Sequence, residues 1–167
     1  MEEIFTRRSI RSYTDESLRE EKIQQLLKAA MVAPSAGNEQ PWHFIVIDDN
    51  QLMSQIMDFH DYAAMLAEAQ AAVIVCGDKD LEKHEGFWVQ DCAAATQNIL
   101  LAAESEGLGA VWLGVHPAEK RVNGMRKLFD LPDYIIPFSI IALGYPAQHK
   151  RKNDRYLEDR VHYNDWD

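Results

Sequence analysis

Apolar positions along this chain fall into alternating helix-like and strand-like stretches separated by polar connectors. Ile23, Leu26, Leu27, Ala30 and Met31 share one helical face, which predicts a helix from Glu20 to Ala33 with acids in its first turn and a stop at Pro34. Phe44 to Ile47 reads as a buried strand, and Gln51 to Phe59 and Tyr62 to Glu68 as two short helical pieces broken near His60 and Asp61. The run Ala71 to Gly77 is apolar without alternation, the pattern of a central strand covered on both faces. Asp78 to Gly86 is charged and loop-like, whereas Phe87 to Glu106 is alanine-rich and apolar nearly all round, the pattern of a buried core helix. Gly107 ends that helix as a cap. A strand over Ala110 to Val115, an amphipathic helix over Ala118 to Phe129 stopped by Pro132, and a last strand over Phe138 to Tyr145 complete the expected order.

The connector from Pro34 to Trp42 cannot continue a helix, because two prolines bracket a glycine and an asparagine. It carries a hydroxyl (Ser35), two carboxamides (Asn38, Gln40) and a large aromatic (Trp42), a set that suits a flat heterocycle with polar edges. The same residues also suit an ordinary turn in which Ser and Asn bond their own backbone. Positive charge gathers at the two ends of the chain: Arg7, Arg8 and Arg11 near the start, and Lys150, Arg151, Lys152, Arg155 and Arg160 near the finish. Guanidinium forks beside a hydroxyl can converge on one compact anion such as a phosphate, although a lone basic triplet more often marks a solvated turn.

Composition narrows the classes. The 167 residues suffice for one domain spanning 1–167, and a formal net charge of -10 speaks against nucleic acid as a partner. The longest apolar-leaning run, Cys92 to Ala103, is too short and amide-rich to span a bilayer, and the start Met1-Glu2-Glu3 is acidic where a signal peptide is basic. A cytoplasmic protein without a membrane partner is expected. Cys76 and Cys92 stand in apolar runs with no Cys-x-x-Cys spacing, so they read as buried free thiols. No histidine spacing supports a metal site. Gly107-Leu108-Gly109 is no dinucleotide fingerprint, because Trp112 occupies the third glycine's place. No side-chain nucleophile or acid–base pair stands out, so an enzyme of this sequence would draw its reactivity from a cofactor. Beyond Pro146 core periodicity ends. The tail 147–167 keeps Tyr156, Leu157, Val161, Tyr163 and Trp166, apolar bulk that packs on a neighbouring subunit or folds back on its own domain.

Five segments in order, Arg7-Arg8-Ser9-Ile10-Arg11, Ala33 to Val46, Gln90 to Ala103, Gly107-Leu108-Gly109 and Ala142 to Pro146, together resemble the FMN-dependent nitroreductase family. The likeness is to its compact branch, which lacks the inserted helices of longer members. The resemblance implies an α+β sandwich with a mixed, mainly antiparallel sheet flanked by helices, and an intertwined homodimer with FMN at the subunit interface. It also implies Arg7, Arg8, Ser9 and Arg11 as flavin contacts from one subunit and Pro34, Ser35, Asn38 and Gln40 from the other. Leu113 and Gly114 match the place where backbone amides approach the flavin, and Arg155, with Lys152, matches a basic position closing over the phosphate. Leu113 stands where some longer relatives have a carboxylate, so no catalytic side chain is carried over and the chemistry rests at flavin N5. The implied activity is hydride transfer from NADH or NADPH through FMN to a small-molecule nitro, quinone or enone acceptor by a ping-pong mechanism. The alternative, of another class, is a flavin-binding or redox-sensing dimer with little turnover.

Overall fold

The computed structural model describes residues 1–149, 151 and 154–166. Its centre is the strand foreseen from the unbroken apolar run, β2 (Ala71–Asp78), buried at every position. Antiparallel partners flank it: β1 (Trp42–Ile47) on one side and β4 (Ile135–Gly144) on the other, with β3 (Gly109–Gly114) beyond β4. The parallel element of the expected mixed sheet is a single bridge, Ser9 to Ala110, outside the named strands. The last strand begins three residues before the expected Phe138, at Ile135. It runs through Pro137, which has no N–H for a ladder, and the register shifts between Val75 and Cys76 directly opposite.

Both faces of the sheet are covered, which is why its strands do not alternate in polarity. Val73, Val75, Ile141 and Leu143 pack with Leu26 and Ala30 of α2 (Glu20–Met31) and with Ile99 and Ala103 of α4 (Trp88–Ser105). Ile74, Cys76, Ile140 and Ala142 pack on the other face with Met53 and Ile56 of α3 (Asn50–Met57) and Met125 of α5 (Glu119–Phe129). Asp49 caps α3 by accepting the N–H of Gln51 and Leu52, a contact of about 1 kcal/mol. The helix foreseen over Ala118 to Phe129 ends at Phe129, and it is Asp130, with a left-handed φ of 48°, that closes α5 ahead of Pro132. Tyr62 to Glu68 forms turns and one short 3-10 segment, Ala64–Ala67.

Cys76 and Cys92 are buried free thiols, as expected, and burial pushes Cys76 up to about 12 and raises Cys92 further. Among the described residues no helix is long and apolar enough to cross a membrane. In the tail, the rings of Tyr156, Tyr163 and Trp166 are exposed.

Candidate functional site

The arginine segment is stitched to the sheet by its backbone. The short helix α1 (Glu2–Thr6) ends where Arg7 turns to extended geometry, and Ser9 and Ile10 then run along the start of β3, the Ile10 N–H donating to Ala110 O at 3.0 Å. Thr14 N–H donates to Tyr145 O at 2.9 Å, and Ala147 N–H to Ser12 O at 3.0 Å. The Gln148 carboxamide oxygen accepts the N–H of Arg11 and of Ser12, at 2.5 and 2.9 Å. Tyr13 lies flat on Gly144, where an added Cβ would stand 2.8 Å from the Tyr13 ring, and its hydroxyl donates to Ile10 O at 2.8 Å. Burial raises the Tyr13 pKa. This rigid backing leaves the cations free: among the described residues no carboxylate pairs with Arg7, Arg8 or Arg11. Arg7 Nε is buried and meets no acceptor among the described residues. A buried cationic donor with nothing to bond suits an anion that the protein itself does not supply.

The loop from Pro34 to Trp42 is strained as well as polar. Gly37, Asn38 and Gln40 have left-handed φ values of 52°, 54° and 49°, and for Gln40 that conformation costs on the order of 1–3 kcal/mol. Ser35 Oγ helps to hold it by accepting the Gln40 N–H at 3.0 Å. Beneath the loop, Asp91 in the first turn of α4 accepts the Ala36 N–H at 3.1 Å, and Glu39 accepts the N–H of Lys83 and His84. Pro34, Asn38 and Gln40 are exposed, and neither carboxamide side chain of Asn38 or Gln40 is spent on a protein partner among the described residues.

Gly114 ends β3 on the same side of the molecule. Val115 N–H donates to Phe138 O at 3.1 Å, and the alternation of an antiparallel ladder then turns the N–H and C=O of Gly114 away from β4, toward the open edge. By the same alternation the Leu113 N–H faces β4, and its side chain is buried with Val111. The Gly114 carbonyl accepts from His60 Nε2 at 2.9 Å and from the Arg121 guanidinium at 2.8 Å, and Arg121 stacks over the Tyr62 ring at 5.3 Å. Gly114 has no left-handed φ to explain it, and a Cβ built there meets nothing within 4 Å. Its missing side chain leaves room at an exposed backbone for something flat. His116, two residues on, packs edge-on against Trp88 at 4.9 Å, and burial lowers its pKa. That contact sets the end of β3 beside the start of α4, and hence near the loop.

The chain therefore brings the foreseen residues together in two groups. Ser35, Asn38, Gln40, Leu113 and Gly114 gather near the N-terminal end of α4. Arg8 lines a groove of about 220 Å³ with Glu104 and Gly107 at the opposite end. Thirteen residues of α4 separate Asp91 from Glu104, a rise of about 20 Å. Arg155 is exposed in the tail and joins neither group, and Lys152 lies outside the described residues. His60, Arg121, Glu39 and Asp91 were not foreseen at the site. His60 registered only as a helix break, and no local pattern marks the others.

The family model described as Nitroreductase family matches residues 4–81 and 60–145. The chain belongs to the nitroreductase family. Across 166 residues it is 54% identical to a protein of Methanothermobacter thermautotrophicus named "Putative NADH dehydrogenase/NAD(P)H nitroreductase", covering 99% of this chain and 87% of the relative. A crystal structure named "Putative NADH Oxidase" from Clostridium acetobutylicum superposes with a TM-score of 0.95 at 43% identity, covering 98% of this chain and 99% of the other. A Desulfovibrio desulfuricans crystal structure named "putative nitroreductase in complex with fmn" superposes with a TM-score of 0.86 at 32% identity, covering 99% of this chain and 96% of the other. The residues present fit such a group: arginines that pair with no carboxylate among the described residues, one with an orphaned Nε, for a phosphate, carboxamides not spent on any described partner for a ring edge, and a bare glycine edge for a flat face.

Proposed function

We propose that this nitroreductase family member is one subunit of a homodimeric FMN-dependent NAD(P)H oxidoreductase. When bound, the flavin supplies two-electron transfer between NADH or NADPH and a nitro, quinone or enone acceptor, taken in alternation at one open face. The protein's part is to bind, orient and polarise. Arg7, Arg8 and Arg11, with Ser9, hold the phosphate and its neighbouring polar groups through charge-assisted bonds. Pro34, Ser35, Asn38 and Gln40 of the other subunit reach the ring. The outward N–H of Gly114, beside Leu113, offers a fixed donor where negative charge collects on the reduced ring. Arg155, with Lys152, closes over the phosphate from the tail.

The observation that carries this reading is Gly114, an exposed glycine whose backbone conformation does not need one and whose absent Cβ faces empty space. The separation of the two residue groups along α4 supports a site built from two copies of the chain. The FMN in the Desulfovibrio structure and the activity in the name of the Methanothermobacter relative agree with it. The test is direct. Purified protein should be yellow, bleach with NADH or NADPH in the absence of oxygen, and recover its colour when an acceptor is added. A colourless protein with no affinity for FMN would overturn the reading, and bleaching without recovery across an acceptor panel would favour the sensing alternative.

A further inference from the structure

Glu39 and Asp91 meet beneath the loop Pro34 to Trp42, and both are buried. Each has one oxygen accounted for. Asp91 Oδ1 takes the Ala36 N–H at 3.1 Å, and Glu39 Oε2 takes the N–H of Lys83 at 2.6 Å and of His84 at 3.1 Å. The other two oxygens, Glu39 Oε1 and Asp91 Oδ2, are buried and meet no N–H or O–H among the described residues, and the two side chains interact with each other as a hydrogen-bonding pair. Two ionised carboxylates so placed would repel with nothing between them, whereas a single proton turns the contact into a charge-assisted hydrogen bond. The pair also joins three pieces of chain: the loop, the first turn of α4 and the segment around Lys83 and His84.

We propose that Asp91 is a positioning residue that holds this loop through one proton shared with Glu39, so that the loop's grip on its ligand depends on pH. The inference rests on reading the loop as half of the flavin site. Burial is the largest influence on Asp91 and raises its pKa; the Ala36 N–H opposes, while Glu39 and the charge of Glu82 add to the rise. Burial also pushes Glu39 upward, but the Lys83 and His84 amides, the hydrogen bond from Asp91 and the charge of His84 outweigh it, and its pKa is lowered. Glu82 is itself paired with Lys79, and the Lys83 side chain is exposed. The sign follows. A raised Asp91 pKa gives a contribution complete at low pH and lost as pH rises through that value; a lowered Glu39 pKa gives one lost as pH falls through its own. The loop is firmest between the two, and the alkaline limb belongs to Asp91.

Asp91→Asn keeps an acceptor for Ala36 and an N–H for Glu39 but has no proton to lose. FMN affinity across a pH series, and amide hydrogen exchange at Ala36, Lys83 and His84 in the full-length protein, should be measured for wild type, Asp91→Asn and Asp91→Ala, comparing proteins at each pH. In wild type FMN affinity should fall roughly tenfold through the alkaline limb while the three amides lose protection. Asp91→Asn should stay flat in both, and Asp91→Ala should be weak and unprotected throughout. An infrared band of a protonated carboxyl should be present in wild type and absent from Asp91→Asn. The same alkaline loss in Asp91→Asn as in wild type, or no such band in wild type, overturns the proposal. If wild type binds no FMN at any pH, the functional reading fails, and the amide protection still decides whether the shared proton holds the loop.

Discussion

The Nε2–H of His60 donates to the carbonyl of Gly114 at 2.9 Å, across 54 residues of chain. Since Nδ1 of the same ring accepts the Tyr62 N–H at 3.3 Å, the ring is the neutral Nε2–H tautomer. With Arg121 as a second donor, the peptide after Gly114 is fixed, and the outward face of the strand end with it. Burial is the main cause of a pKa below the ordinary histidine value of 6.5, the charge of Arg121 adding to it. A lowered pKa means that the stabilising contribution is complete above about 6.5 and is lost as pH falls from there through the folded value. His60→Gln should therefore flatten the acid limb of the stability profile, with a residue left by His116, which is lowered in the same way. His60→Ala should cost about 0.5–1.5 kcal/mol in urea unfolding, because it removes one hydrogen bond from a partly buried site while the Gly114 carbonyl keeps Arg121 as a donor. An unchanged midpoint would remove His60 from this role.

Gly114→Ala separates stability from ligand binding. A Cβ there meets nothing within 4 Å and the backbone is not left-handed, so unfolding should be unchanged or shifted upward by about 0.4–1 kcal/mol from reduced freedom of the unfolded chain. The same methyl would stand where a flat ring is to approach, and FMN affinity should drop well below wild type. Equal affinity in the variant would mean that the bare edge serves no ring.

What could be read from the sequence follows from how local each signal is. α2, α4 and α5 lie close to their expected bounds because periodicity, acidic first turns and terminal Gly or Pro act within a few residues. The start of β4 was missed because Pro137 hides it: only a register shift in the neighbouring strand lets proline sit there, and a neighbour is not visible in a linear pattern. The arginines and the amide loop stood out by residue type. Glu39 sits within that loop yet was passed over, since its chemistry comes from Asp91 and from the amides of Lys83 and His84, all distant in sequence. Arg121 was invisible for the same reason, its partners being Tyr62 and the Gly114 carbonyl.

Arg11→Ala tests the phosphate end. Losing one charge-assisted fork should weaken FMN binding by roughly 1.5–3 kcal/mol, about ten- to a hundredfold, while the fold stays intact because the Arg11 side chain is exposed and only its backbone is tied down. Arg7→Ala should act in the same direction, and by removing a buried donor that meets no acceptor it should not destabilise the FMN-free protein through a lost bond. Titrations of FMN and of riboflavin, which lacks the phosphate, distinguish the contact: the variants should differ from wild type for FMN and match it for riboflavin. Equal losses for both ligands would place these arginines away from the phosphate.

Two damaged subunits should repair each other if the site is shared. The arginine group and the loop lie at opposite ends of α4, about 20 Å of helix apart, so one flavin drawing on both takes one group from each of two chains. A two-fold dimer has two such sites, each made of one subunit's arginines and the other's loop. Take Arg11→Ala as one parent, and as the other Asn38→Ala combined with Gln40→Ala. In either homodimer both sites carry the damage. In the mixed dimer one site receives both sets of substitutions and the other receives neither. With random exchange half of the dimers are mixed, so roughly a quarter of all sites should bind FMN with wild-type affinity. Mixing the purified parents under conditions that allow exchange, then titrating FMN, should reveal a tight class of about that size that neither parent has. If no tight class forms although exchange is verified by mass, the arginines and the loop serve the same chain and the two-subunit site is wrong. If the protein is a monomer by light scattering and still binds FMN, the shared site fails outright.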